Sequence, residues 1–165
     1  HTTATVACVT ELQAGGGTFC DVLIAGRERG MAVDGLRFAL TVHTTVTSRP
    51  TLDRAIVDAG RKSLAHWEPF DMPAVLAPVS QTMEKEQHES EQSFSNDLKY
   101  TMLCAEHGVL SVDTHTDKNG LEIGTRLQVV PAYHDLTTVL HDRFIAVRNG
   151  RVHAIWPLLG RGRLD

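Results

Sequence analysis

The residues most able to do chemistry cluster at two places. One is Pro131-Ala132-Tyr133-His134-Asp135, which sets a phenol, an imidazole and a carboxylate side by side. The other is Glu106-His107-Gly108, a histidine in a turn between two apolar runs. A tyrosine and a carboxylate one pleat apart can move a proton together, although many such pairs only hydrogen-bond. Tyr133, His134 and Asp135 are therefore candidate catalytic residues. His134 and Asp135 are also residue types that can hold a divalent ion. On an extended strand, neighbouring side chains point to opposite faces, so those two could share an ion only across a bulge. Three readings stay open: a bulged metal site for Zn or Mn, a metal-free acid/base set, or a structural segment.

The remaining histidines carry less weight. His43 interrupts an apolar run and reads as a satisfied core or edge residue. His141, just before Asp142, could support the Tyr133–Asp135 segment from behind. His66, His88, His115 and His153 read as surface residues.

The elements that must position these groups are strands. Thr2–Glu11, Phe19–Ile24, Leu36–Ser48, Ala55–Val57, Ala74–Ala77, Tyr100–Ala105, Val109–Val112 and Arg126–Val130 are short β-branched or alternating runs. Gly15-Gly16-Gly17 permits a tight reversal, Arg49-Pro50 ends a run, and Asn119-Gly120 marks a turn. Phe144–Val147 and Val152–Trp156 flank Arg148-Asn149-Gly150, a hairpin signal. Residues 84–96 (EKEQHESEQSFSN) are almost devoid of apolar side chains and read as a polar surface insertion, either a solvated helix or a mobile excursion. No long amphipathic helix emerges. The expected fold is a single all-β domain, a barrel or sandwich, over 1–165.

Composition sets bounds. The chain has 165 residues, 42% hydrophobic and 22% charged, enough to bury a core. A formal charge of −4 without a basic stripe argues against a nucleic-acid partner. No apolar run is long enough to span a bilayer, and no secretory leader is recognisable, so a cytoplasmic location is expected. The sequence does not begin with Met, as in a trimmed or processed chain. Three cysteines without CxxC spacing read as free buried thiols in a reducing compartment, with a single Cys8–Cys20 bridge left open.

Taken in order, the punctuation points resemble one family along nearly the whole chain. They are Thr10-Glu11-Leu12-Gln13-Ala14-Gly15, Thr45-Val46-Thr47-Ser48-Arg49-Pro50, Val57-Asp58-Ala59-Gly60-Arg61-Lys62, Glu106-His107-Gly108, Val129-Val130-Pro131, Leu140-His141-Asp142, Val147-Arg148-Asn149-Gly150-Arg151-Val152 and Trp156-Pro157. This pattern is similar to the C-terminal domain of the D-threonine aldolase / D-serine dehydratase family, two-domain enzymes of the alanine-racemase type. The resemblance implies a β domain that carries a divalent metal beside a separate barrel holding pyridoxal phosphate on a lysine. That lysine belongs to the barrel and is not Lys62, so this chain alone is expected to bind no pyridoxal phosphate. The family's ligands follow the proline as His-x-Cys or His-x-Asp. Here Asp135 takes the second position, Tyr133 the first, and His134 falls one residue late, so the resemblance makes His134 and Asp135 the candidate metal ligands; by marking the Glu106-His107-Gly108 turn as close to the active site, it also adds His107 to the candidate catalytic set.

Three functions compete. The first is a stand-alone lyase-like enzyme acting on a small hydroxylated substrate or natural-product intermediate by dehydration, C–C cleavage or isomerisation. The second is the metal-carrying domain of a pyridoxal-phosphate-dependent 3-hydroxy-D-amino-acid aldolase or dehydratase. The third is a non-catalytic β interaction module. A chain of this length favours the first and third. Surface bared by the missing barrel would need cover, so a homo-oligomer, or a separate barrel as partner, is expected.

Overall fold

The computed structural model describes residues 8, 11, 15–25, 37–66, 72–76, 92, 94–115 and 121–163. Eight strands dominate: β1 (Val42–Thr51), β2 (Arg54–Val57), β3 (Ala74–Leu76), β4 (Phe94–Leu103), β5 (Gly108–Val112), β6 (Arg126–Val130), β7 (Arg143–Arg148) and β8 (Arg151–Pro157). The helices among the described residues are short: a 3-10 turn at Gly16–Thr18, α1 (Val22–Ala25) and α2 (His134–Thr138). None is long and apolar enough to cross a membrane.

Six strands close into a barrel in the order β1-β2-β5-β4-β3-β6, and β7 and β8 form a separate two-stranded sheet. Every pairing is antiparallel. Register shifts interrupt β1–β2, β3–β4 and β4–β5, the local twists by which a small sheet curls shut. The alternation of β5 is complete: Gly108, Leu110 and Val112 are buried, and Val109 and Ser111 lie between them. With Val46, Val57, Val75, Tyr100 and Val129 these residues fill the barrel. Each such aliphatic side chain contributes about 1.5–3 kcal/mol on burial. A second cluster, Cys20, Val22, Phe38, Leu76 and Val130, closes one end.

The register places chemistry on that end. Val57 closes β2 opposite Gly108, which opens β5, and Leu103 of β4 faces the same glycine. Val42 opens β1 beside Val129, and Ala74 opens β3 beside Val130. The β4–β5 turn with His107 and the segment after β6 with His134 therefore share one rim.

Several sequence expectations change. Phe19–Ile24 is not a strand but a bend leading into α1, because Val22 and Leu23 donate their N–H groups to the carbonyls of Pro131 and Ala132 at 3.2 and 3.1 Å rather than to a sheet neighbour. The longest run begins at Val42 and passes through Arg49-Pro50 to Thr51. Irregular pairing between Ser48 and Thr51 accommodates a residue without an N–H. Phe94–Asn96, read as part of the polar insertion, open β4. Residues 84–91 and 93 lie outside the described residues, as do most of Thr2–Glu11 and the Asn119-Gly120 turn. The hairpin forms as expected, with Asn149 at φ 51° and Gly150 at φ 70°, the left-handed pair that two-residue hairpins use. None of the three cysteines is in a disulfide, and Cys20 alone of them is buried.

Candidate active site

β6 ends at Val130, and the chain after Pro131 turns away from the sheet. Tyr133 remains extended as the residue before α2, and His134 and Asp135 form its first turn. The segment is thus a helix start, not a strand, and the rule that neighbours face opposite ways does not apply. His134 Nε2 and Asp135 Oδ1 lie 2.9 Å apart with no bulge. Tyr133 donates its hydroxyl to Asp135 Oδ2 at 2.8 Å. That bond, followed by the Asp135 charge, raises the Tyr133 phenol above its ordinary range, so the phenol keeps its proton.

The opposite side of the histidine is buried. Asp21, fully enclosed, accepts both the His134 backbone N–H at 2.8 Å and a contact from ring Nδ1 at 2.6 Å on the same oxygen, Oδ2. The residue before it, Cys20, has φ 56°, a left-handed conformation that costs a non-glycine residue about 1–2 kcal/mol. Phe19 sets its ring edge-on to His134, with centroids 5.7 Å apart, and touches Phe144 of β7 at 5.4 Å. A cavity of about 530 Å³ opens here, lined by Gly15, Gly16, Thr18, Phe19, His134, Asp135 and Thr138. The glycine run thus forms one wall of the cavity.

Sequence reasoning missed Asp21. Its one signal was an acid within the apolar run Cys20-Asp21-Val22-Leu23-Ile24, because a buried carboxylate demands a partner.

His107 takes another position on the rim. It is exposed, and its carbonyl accepts the Cys104 N–H at 2.8 Å to close the turn. Gly60 lies beneath it, where a Cβ would meet Cys104 O and His107 N at 2.5 Å. Asp58 is nearby. Partial burial works to raise its carboxyl, but hydrogen bonds from the Thr44 hydroxyl (2.6 Å) and the Thr45 amide (2.8 Å), with His107 adding, hold it below the usual range. The Gly60–Ala65 loop links the two parts of the rim. Arg61 and Lys62 donate to the carbonyls of Cys104 and Ala105, whereas Ala65 N–H reaches Thr137 Oγ1 (3.2 Å) and Ser63 O meets His141 Nε2 (2.9 Å). His141 therefore braces the loop. Tyr133, His134 and Asp135 come together, and His107 stands apart from the cavity lining.

His134 Nε2 and Asp135 Oδ1 are two donors on one side, short of the three protein ligands of an ordinary zinc site. Both ring nitrogens of His134 face carboxylates, and both oxygens of Asp135 are engaged. Among the described residues no group of three or more His, Cys, Asp or Glu side chains is placed to hold a metal ion. Nor do these residues fit pyridoxal phosphate. Lys62 is exposed and paired with Glu106, and the Gly16–Thr18 turn is too short to cradle a phosphate.

Known proteins agree with the architecture. The family model for the putative serine dehydratase domain matches residues 39–147. D-threonine aldolase of Arthrobacter sp. is 34% identical over 156 residues, which are 93% of this chain and 35% of that enzyme. The 3-hydroxy-D-aspartate aldolase of Paracoccus denitrificans is 32% identical over 126 residues, 76% of this chain and 26% of the enzyme. The crystal structure of D-threonine aldolase from Filomicrobium marinum superposes with a TM-score of 0.68 at 30% identity, covering 94% of this chain and 37% of that one. The chain thus spans 26–37% of the length of the relatives it matches. By its matched residues and its barrel, it belongs to the putative serine dehydratase domain family.

Proposed function

We propose that this chain serves lyase chemistry on a small 3-hydroxy amino acid, with Tyr133, His134 and Asp135 handling the proton of the substrate hydroxyl. The observation that supports this most is the unbroken contact from the Tyr133 phenol through Asp135 to His134, beside a cavity in a chain of this family. Dehydration needs a proton delivered to a departing hydroxyl, and C–C cleavage needs one withdrawn from it. A phenol that holds its proton supplies the first, and a carboxylate backed by an imidazole supplies the second. The substrate class is taken from the relatives, whose names specify D-threonine and 3-hydroxy-D-aspartate. His107 lies on the same rim but outside the cavity lining, so this proton chain leaves it without a role.

The family resemblance implies a pyridoxal-phosphate barrel, and Lys62 offers no substitute for its lysine. In this reading the chain contributes its β domain to a larger active site. The second reading is a stand-alone enzyme, favoured by a self-contained proton chain on one rim. Adding D-threonine and 3-hydroxy-D-aspartate to the isolated chain separates them. Shifts in the NMR signals of residues 133–135 without turnover support the domain reading, and turnover supports the stand-alone one. Neither binding nor turnover sinks both.

Association is part of the same proposal. Ile145, Val147, Val152 and Ile155 of the hairpin are 57–63% exposed, an aliphatic face that a second copy of the chain would cover by two-fold pairing. A mass in solution of two or more chains is expected, and a clean monomer counts against it.

A further inference from the structure

We infer that Thr137 is a positioning residue of this site: its buried hydroxyl fastens the one helical turn that carries His134 and Asp135 to the barrel core through Ala65. The inference rests on the proposed reading for what that turn is used for. Its test reads side-chain positions in the chain without substrate, so the two can fail apart.

α2 has only five residues, His134–Thr138. A helix this short does not hold itself in water, because its first turn fixes several dihedrals for a single hydrogen bond. Local support is slight. Tyr133, the residue before it, gives no side-chain cap. The backbone bonds from Thr137 N–H to Tyr133 O and from Val139 N–H to Asp135 O measure 3.2 and 3.4 Å, at or beyond the long end of the ordinary range. The meeting of His134 with Asp135, and of Asp135 with Tyr133, therefore depends on what holds α2 from outside.

Asp21 holds its first residue, His134. Thr137 holds the other end. It is 1% exposed, and its Oγ1 accepts the Ala65 N–H at 3.2 Å across 72 residues of sequence. Four residues on, His141 Nε2 donates to Ser63 O at 2.9 Å. Between Ser63 and Ala65 stands Leu64, fully buried among the residues that fill the barrel. The two contacts thus reach close-packed interior, which yields little, and not a loose surface loop. Arg161 closes the exit from α2, pairing with Asp142 and donating from Nε to Val139 O at 3.2 Å. Of these holds, the Thr137 hydroxyl is the one that comes from α2 itself and lies two residues from Asp135.

The experiment is NMR of the whole chain without substrate. Thr137→Val keeps the shape of the side chain but offers Ala65 N–H no acceptor, whereas Thr137→Ser restores the hydroxyl. Thr137→Val should move the ring signals of His134 and Tyr133 by several line widths while the amides of residues 108–112 in β5 stay in place. Thr137→Ser should return the rings toward their wild-type positions. A lowered urea midpoint in Thr137→Val with both rings unmoved would overturn the inference, since the hydroxyl would then serve stability alone. A serine variant with its rings displaced as far as in the valine variant would overturn it too. If Thr137→Val does not fold, His141→Ala frees the same end of α2, and it should move the same two rings. Rings unmoved there would overturn the inference in turn.

Discussion

Two histidines occupy one rim and are held in opposite ways. His134 is buried to 5% exposure and lives through its side chain, with each ring nitrogen against a carboxylate. His107 is exposed and works through its backbone, closing a turn packed onto Gly60. The contrast teaches that a histidine in a recognisable motif and a histidine in a built site are different things. At the first the protein invests in the shape of the main chain. At the second it invests in the ring.

Substitutions can break that contrast or sharpen it. The largest effect is expected at Asp21→Ala, which strands the His134 ring without its buried partner. Loss of one member of a buried pair costs about 3–5 kcal/mol, read as a drop in the urea midpoint. Gly60→Ala comes next, at about 2–3 kcal/mol, because the new methyl meets backbone that must move. It should displace the amide signals of residues 104–107 while leaving the His134 ring signals in place. A shift of both would mean that the rim is one unit.

A smaller effect is expected at Asp58. Its folded carboxyl lies below the unfolded value, so its contribution is present above about pH 4 and fades as the pH falls through the folded value. Thr44→Val should therefore lower stability by under about 1 kcal/mol at pH 7. The melting temperatures of the two proteins should converge in acid. The smallest change belongs to His107→Ala, within about 0.5 kcal/mol, since an alanine keeps the carbonyl that closes the turn. A large loss there would erase the distinction drawn between the two histidines.

Much of the barrel was legible because its strands announce themselves locally. Arg126–Val130 alternates and stops at a proline, and Asn149-Gly150 dictates its turn whatever surrounds it. What escaped was decided at long range. β4 opens in polar sequence because most of its early side chains are partly or fully exposed, so its strand character comes from the ladders with β3 and β5. Phe19–Ile24 has strand-like composition but finds its hydrogen bonds at Pro131 and Ala132. At the candidate site, Tyr133, His134 and Asp135 could be named from sequence, yet their geometry could not. One helical turn replaced an assumed pleat, and the acid that orders them comes from another part of the chain.

The closed barrel has a consequence for how the molecule meets its neighbours. Among the described residues, six strands that pair in a ring leave few peptide groups for further ladder building, whereas each strand of the hairpin outside the ring pairs on one side alone, beside an aliphatic face. Arg143, Arg148 and Arg151, all exposed, sit along those margins as like charges that discourage indiscriminate strand addition. Among the described residues, strand addition should therefore start from residues 143–157, and removing these arginines should hasten it.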